Sequence, residues 1–210
     1  MLAFDIAGAR APIEAAAPTI AFDLHVRETT NARIEAIALR VQIEIEPRKR
    51  HYSPEEEARL VELFGPPHRW GETLHGVLWS HVSLTVPGFT GVTRLDLPVT
   101  CSYDFEVASS KYFDALQDGE IPLLFMFSGT VFLASERGLS VTRIPWELEA
   151  RYRLPVVVWR DAMQIHFPNT AWIRVHKSIF DELFRFRTVH GLPTWDHTME
   201  ALLERARETT

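Results

Sequence analysis

Strict alternation of apolar and polar residues recurs along the chain up to residue 154. In "EAIALRVQIEIE" (residues 35–46) every second residue from Ile37 to Ile45 is apolar, and "IAFDLHVR" (residues 20–27) has the same pattern. A period of two places alternate side chains on opposite faces of a β-strand. Because parallel strands covered on both faces contain continuous apolar runs, this alternation predicts antiparallel strands with one face in water.

Further segments raise the expected number of strands to about seven, which favours a sandwich or a strongly curved sheet. These segments are "GVLWSHVSLTV" (76–86), "VTCSYDFEV" (99–107), "LSVTRI" (139–144) and "LEARYRL" (148–154). One more segment, "IPLLFMFSGTVFLA" (121–134), is apolar at both parities and therefore predicts a central strand. Gly129 within it predicts a bulge or a close approach of a neighbouring backbone.

The remaining segments predict helices. "SPEEEARLVELFG" (53–65) has a capping serine, a proline suited to the first turn and a terminal glycine, so it predicts an inserted helix. After residue 154 the apolar period changes toward 3.6, and Thr194 is the expected N-cap of a last helix. We therefore expect an α+β fold: a mainly antiparallel sheet or sandwich with a helical C-terminal third.

The expected domain organisation is simple. The Ala- and Pro-rich composition of residues 7–18 predicts a mobile leader over residues 1–18. Residues 19–210 are expected to form a single domain, rich in strands over 19–154 and in helices over 155–208.

Charge and cysteine content exclude several classes of protein. A formal net charge of -6 argues against a surface that neutralises phosphates, so nucleic acid is not an expected partner. Cys101 is the single cysteine, which excludes an intrachain disulfide and a zinc site built from several thiolates of this chain. A reducing cytoplasm fits this content. An apolar run of about 18 residues, as a membrane span needs, does not occur.

Three histidines and two tryptophans lie within "HRWGETLHGVLWSH" (68–81), a density that raises the question of a metal site. If the second half is a strand, His75 and His81 lie about 20 Å apart and cannot share one ion. His68 lies in a loop rich in proline and glycine. We therefore predict no metal site here and expect Trp70 and Trp79 to serve in packing.

Motifs of catalysis or cofactor binding are likewise not found. Two polar pairs lie on the solvent-exposed faces of predicted strands: Asp23 with His25, and Asp104 with Glu106. Polar residues are expected at such exposed positions, so these pairs need no catalytic explanation. The basic run from Arg48 to His51 is interpreted as a solvated loop. The sequence thus predicts no catalytic residue and no cofactor. An active site assembled from distant carboxylates and histidines, as in a hydrolase or isomerase, is the alternative that a single sequence leaves open.

The C-terminal third is unusually aromatic. Its segment "FPNTAWIRVHKSIFDELFRF" (167–186) holds more aromatic residues than one helix face of an isolated domain usually buries. Two explanations remain open: the rings cover the apolar face of the sheet, or some of them form a docking surface. On the second hypothesis, the best-placed partner-binding residues are Trp172, Phe180, Phe184 and Trp195.

Several motifs resemble a known family. The segments "LLFMFSGTVF", "IPWELEARYRLPV", "HFPNTAWIRV" and "GLPTWD" are similar to an uncharacterised, domain-of-unknown-function family whose members tend to be encoded beside nickel-iron hydrogenase genes. This resemblance implies an accessory role in making or supporting a hydrogenase. A weaker similarity, in "FPNTAWIRV" and "GLPTW", is to SecB-type export chaperones, but this chain has more strands, an inserted helix and no acidic tail.

Together these observations predict a cytoplasmic, non-enzymatic accessory or chaperone-like protein. Its expected partner is another protein, such as a hydrogenase subunit or maturation factor. The hydrolase or isomerase stays the competing hypothesis, and a carrier of a small ligand within the sandwich is a third.

Overall fold

The computed structural model describes residues 1–101, 107–135, 138–170 and 175–208. Its strands are β1 Leu2–Arg10, β2 Thr19–Glu28, β3 Arg33–Ile45, β4 Val77–Thr90, β5 Val92–Thr100, β6 Glu120–Ser135, β7 Gly138–Arg143 and β8 Glu149–Pro155. Its α-helices are α1 Pro54–Phe64, α2 Trp70–Thr73, α3 Val107–Ala115, α4 Val156–His166, α5 Lys177–Val189 and α6 Trp195–Glu208. Short 3-10 turns cover Pro47–Lys49 and Pro67–Arg69.

All pairings among the described strands are antiparallel, as the alternation predicts. One sheet has the order β1-β2-β5, and the other has the order β4-β3-β6-β7 with β8 also paired to β6. The strand β6 is therefore central, since β3, β7 and β8 all bond to it. The expected α+β fold is confirmed.

The core lies between the two sheets. The predicted inward residues of β2 and β3 are buried, and rings from opposite sheets meet there: Phe22 is 5.1 Å from Phe125, and Phe4 stacks on Phe127 at 4.3 Å. Aromatic contacts continue from Trp79 through Phe113 to Trp159, so α3 and α4 extend the core. This packing makes the strand-rich part a sandwich.

Gly129 fulfils the predicted close approach. Its φ is 140°, and a Cβ on this residue would lie 2.1 Å from the carbonyl oxygen of Ala38 on the neighbouring strand. Only a residue without a side chain allows β3 and β6 to come this close.

Two local expectations were wrong. Residues 2–10 of the predicted mobile leader form β1, which pairs with β2 through a bulge between Ile6 and Gly8. The cause is that Leu2, Phe4 and Ile6 alternate toward the core, a signal that the Ala-rich stretch after them obscures. The strand predicted over 99–107 is right only at Val99 and Thr100, which end β5; residue 101 is not in a strand, and Val107 begins α3. Its middle, including Asp104 and Glu106, lies outside the described residues.

The helical C-terminal third is confirmed by α4, α5 and α6. The chain divides into two compact units, Met1–Pro168 and Asn169–Thr210, where the sequence predicts one domain from residue 19 onward. The first unit holds the sandwich with α1 to α4, and the second holds α5 and α6.

Candidate docking surface

Three of the four predicted partner-binding residues come together in the second unit. Phe180 and Phe184 lie four residues apart on α5, and Trp195 opens α6. The ring centroids of Phe180 and Trp195 are 5.2 Å apart, and each lies 6.5 Å from the ring centroid of Phe184. We call these three residues the aromatic surface. Trp172, the fourth predicted residue, lies outside the described residues.

The aromatic surface is accessible to solvent. Phe180 is 40% exposed and Phe184 is 51% exposed, while Trp195 is half-buried. Ile179 beside them on α5 is 49% exposed. An α-helix places residues four apart on one face, so the two phenylalanines present a continuous apolar patch. Among the described residues of the second unit, these rings contact one another and no apolar side chain is fully buried.

The loop between α5 and α6 holds the tryptophan in place. The Arg187 guanidinium lies over the Trp195 ring at 5.2 Å and donates hydrogen bonds to the carbonyl oxygens of Leu192 and Pro193, at 3.2 and 2.9 Å. The Thr194 hydroxyl accepts a hydrogen bond from the backbone N–H of His197 at 3.2 Å, which confirms it as the N-cap. The Arg187 contact restrains the Trp195 ring, and a restrained side chain loses less entropy on binding.

The two tryptophans of the dense His/Trp segment pack in the core, as expected, whereas its three histidines are exposed. Trp70 and Trp79 are buried, and the indole N–H of Trp70 donates to the Gly65 carbonyl at 2.8 Å. His81 lies on β4 and contacts the Gln42 side chain at 3.2 Å. Among the described residues, no three histidine, cysteine or carboxylate side chains are placed to hold a metal ion.

The basic run contains a buried ion pair that sequence reasoning missed. Arg48 and Lys49 are exposed as predicted, but the Arg50 side chain is only 7% exposed and lies 2.5 Å from the Glu56 carboxylate. The same carboxylate accepts hydrogen bonds from the backbone N–H of Ser53 and of Gln117. The available signal was the Ser53/Glu56 spacing of a capping box, which predicts a fixed position for this glutamate.

Two tyrosines lie beside this ion pair. The hydroxyls of Tyr52 and Tyr112 are 2.8 Å apart, and Tyr52 also donates to the Pro47 carbonyl at 2.7 Å. Burial raises the pKa of Tyr52 to about 12 and raises the pKa of Tyr112 further. Both hydroxyls therefore stay protonated at neutral pH, and the cluster is a packed polar network that fixes α1 and α3.

One of the two polar pairs that the sequence places on solvent-exposed strand faces is described. On β2, the His25 Nε2 atom lies 3.1 Å from the Asp23 Oδ2 atom, and both side chains are partly exposed. Asp104 and Glu106, the other such pair, lie outside the described residues.

Two of the concavities of the first unit differ in their lining. One, of about 580 Å³, lies on the outer face of the larger sheet, and its lining on β3, β4, β6 and β7 includes two arginines and four serine or threonine residues beside Ala38, Leu39, Leu84 and Gly129. The other, of about 400 Å³, is lined mainly by apolar side chains that include Ile34, Val131 and Leu133. The second is a space that a carrier of a small ligand, the third hypothesis from the sequence, would use.

Among the described helices, none is long and apolar enough to cross a membrane.

Comparison with known proteins gives a family and distant structural likenesses. A family model described as a family of unknown function (DUF6084) matches residues 1–210. No curated protein matches the chain. A solution structure assigned to the late embryogenesis abundant (LEA) class is 12% identical with a TM-score of 0.34, covering 74% of this chain and 71% of that one. A β-glucosidase from Kluyveromyces marxianus is 14% identical with a TM-score of 0.26, and the match covers 73% of this chain but 15% of the enzyme. With TM-scores below 0.5, neither likeness supports a function.

Proposed function

The chain belongs to the family of unknown function DUF6084, and we propose that it is a cytoplasmic, non-enzymatic accessory protein that binds another protein through its aromatic surface. The observation that carries this proposal is the exposure of Phe180 and Phe184 beside the fixed ring of Trp195. Aromatic residues are enriched among the few that supply most of the binding energy at protein interfaces, because each buries a large area with few rotatable bonds.

The proposed occupant is an apolar segment of a hydrogenase subunit or of a hydrogenase maturation factor. The chemistry of the segment follows from the surface, since exposed phenyl rings are stabilised by apolar side chains. Its source follows from the resemblance of "LLFMFSGTVF" and "HFPNTAWIRV" to a family encoded near hydrogenase genes. We propose that the protein is non-enzymatic because the His25/Asp23 contact lies on a partly exposed strand face. Neither residue lines either of the two concavities described above.

Replacing Phe184 by Ala tests the surface. We expect binding of the partner to fall by roughly tenfold or more, the usual effect of truncating a central interface aromatic. We expect the melting temperature to change little, because this ring is half in solvent, whereas truncating a buried aromatic costs about 3–5 kcal/mol. The measurement is capture of proteins from lysate of the native cell by the tagged chain, followed by mass spectrometry and thermal unfolding.

Trp146→Ala is the matched control, since Trp146 is an aromatic residue that is 89% exposed and lies in the first unit. A hydrogenase subunit or maturation factor retained by the native chain and by W146A, but lost by F184A, supports the proposal. Equal retention by F184A would show that the aromatic surface is not the docking site. Capture of other proteins alone would contradict the hydrogenase assignment.

A further inference from the structure

The concavity on the outer face of the larger sheet has a composition that points to a ligand class. Its volume is about 580 Å³, and its outward side chains are one alanine, two arginines and four hydroxyl residues: Ala38, Arg40, Arg143, Ser83, Thr85, Ser128 and Thr130. The lining contains no carboxylate, although the chain as a whole carries a net charge of -6. Its chemistry therefore differs from that of the average surface of this protein.

Strand register arranges these side chains in two adjacent rows. In the first row Arg40 of β3 lies between Ser83 of β4 and Ser128 of β6. In the second, Ala38 lies between Thr85 and Thr130, and Thr130 is paired in turn with Arg143 of β7. The rows face away from the core, since Leu39 and Val41, of opposite parity on β3, are buried.

The concavity is deepest at its centre because the two residues there, Ala38 and Gly129, are small. Ala38 has the smallest side chain of the two rows, and it lies at their centre. The close approach of its carbonyl oxygen to Gly129 draws β3 and β6 together at the same point. The longer side chains around this point then form the walls.

The two arginines are available to a ligand. Both are exposed, and in the part of the chain that the structure describes neither forms an ion pair. Strand spacing places their Cα atoms about 12 Å apart, two strands across and two residues along. Two long guanidinium side chains at this separation can converge on one anionic group above Ala38. Guanidinium groups match the geometry of phosphate oxygens through paired N–H donors.

We propose that this concavity binds a small phosphorylated polyol. The Arg40 and Arg143 guanidinium groups bind the phosphate, and the hydroxyls of Ser83, Thr85, Ser128 and Thr130 exchange hydrogen bonds with the hydroxyl groups of the ligand. The assignment is independent of the aromatic surface, because all lining residues belong to the first unit.

Titration calorimetry of the full chain with glucose 6-phosphate and glycerol 3-phosphate at low salt tests the site. We expect saturable binding to at least one of them, tighter than to glucose or inorganic phosphate, and weaker at high salt because the contact is ionic. R40Q and R143Q are each expected to weaken binding by roughly tenfold, since each removes a charge-assisted hydrogen bond. R94Q is the control, because Arg94 is an exposed arginine on β5 of the other sheet.

A38L distinguishes loss of the site from loss of a charge. It fills the floor at an exposed position while leaving both arginines, so binding should be abolished and the melting temperature retained. The proposal is overturned if neither phosphate ester binds, if inorganic phosphate binds as tightly as they do, or if R40Q, R143Q and A38L bind like the native chain. An equal loss in R94Q would also overturn it, because it would show attraction by overall charge alone.

Discussion

Glu28 shows at the scale of one residue how this fold stabilises a buried charge. Its carboxylate accepts hydrogen bonds from the Met1 ammonium at 2.6 Å, from the hydroxyl and N–H of Thr30 and from the N–H of Ala32. These donors, the ammonium foremost, lower the pKa of Glu28 from 4.5 to about 2. The ionised carboxylate thereby ties the end of β2 to the turn that leads into β3.

The lowered pKa of Glu28 predicts a pH-dependent contribution to stability. A carboxyl group with a lower pKa in the folded state stabilises the fold fully above its unfolded pKa of about 4.5, and this contribution is lost as pH falls toward 2. E28Q should therefore unfold at lower urea concentration than the native chain at pH 6, and the difference should shrink between pH 4.5 and 2. Urea midpoints measured across this range test it, and parallel curves for the two proteins would contradict it.

At the scale of one element, the start of α1 joins a helix cap to a buried ion pair. The Ser53 hydroxyl accepts from the Glu56 N–H at 3.2 Å, and the Glu56 carboxylate accepts from the Ser53 N–H at 3.1 Å and pairs with Arg50. Glu56 therefore takes part both in the helix cap and in the buried ion pair. Its loss is expected to lower the free energy of unfolding by more than the loss of the cap alone.

Two substitutions separate these roles. S53A should lower the free energy of unfolding by about 1 kcal/mol, the usual cost of losing an N-cap. E56A should lower it by about 3–5 kcal/mol, because Arg50 then keeps a buried charge without its carboxylate. R50M/E56M removes both charges and should recover part of that loss. Urea unfolding measures all three, and an E56A no less stable than S53A would show that the ion pair contributes little.

Sequence patterns located faces and ends of elements well, and contacts between elements poorly. Alternation identified the buried sides of β2 and β3, and turn chemistry identified both ends of α1, because these properties depend on nearby residues. The partner of Arg50 and the row that brings Arg143 to Arg40 depend on strand register, which no local pattern specifies. Phe180, Phe184 and Trp195 were predictable as a group because helical spacing and one cap bring them together.

At the scale of the whole molecule, the core and the aromatic surface belong to different compact units. Every described apolar residue that is fully buried, from Ile6 to Ala162, lies in the unit Met1–Pro168. In the second unit, Phe180, Phe184 and Leu203 stay exposed, at 40%, 51% and 57%. Stability and partner binding are thus expected to depend on different parts of the chain.

This division predicts the behaviour of a chain that ends at Pro168. Since it keeps both sheets and α1 to α4, it should unfold cooperatively in urea and retain the circular dichroism of the sandwich strands. It should lose the partner captured by the full chain, because α5 and α6 carry the aromatic surface. It should still bind the phosphorylated polyol, whose proposed site lies wholly in the first unit. A gradual, non-cooperative unfolding would show that the second unit is needed to form the core, whereas undiminished partner capture would place docking on the sandwich instead.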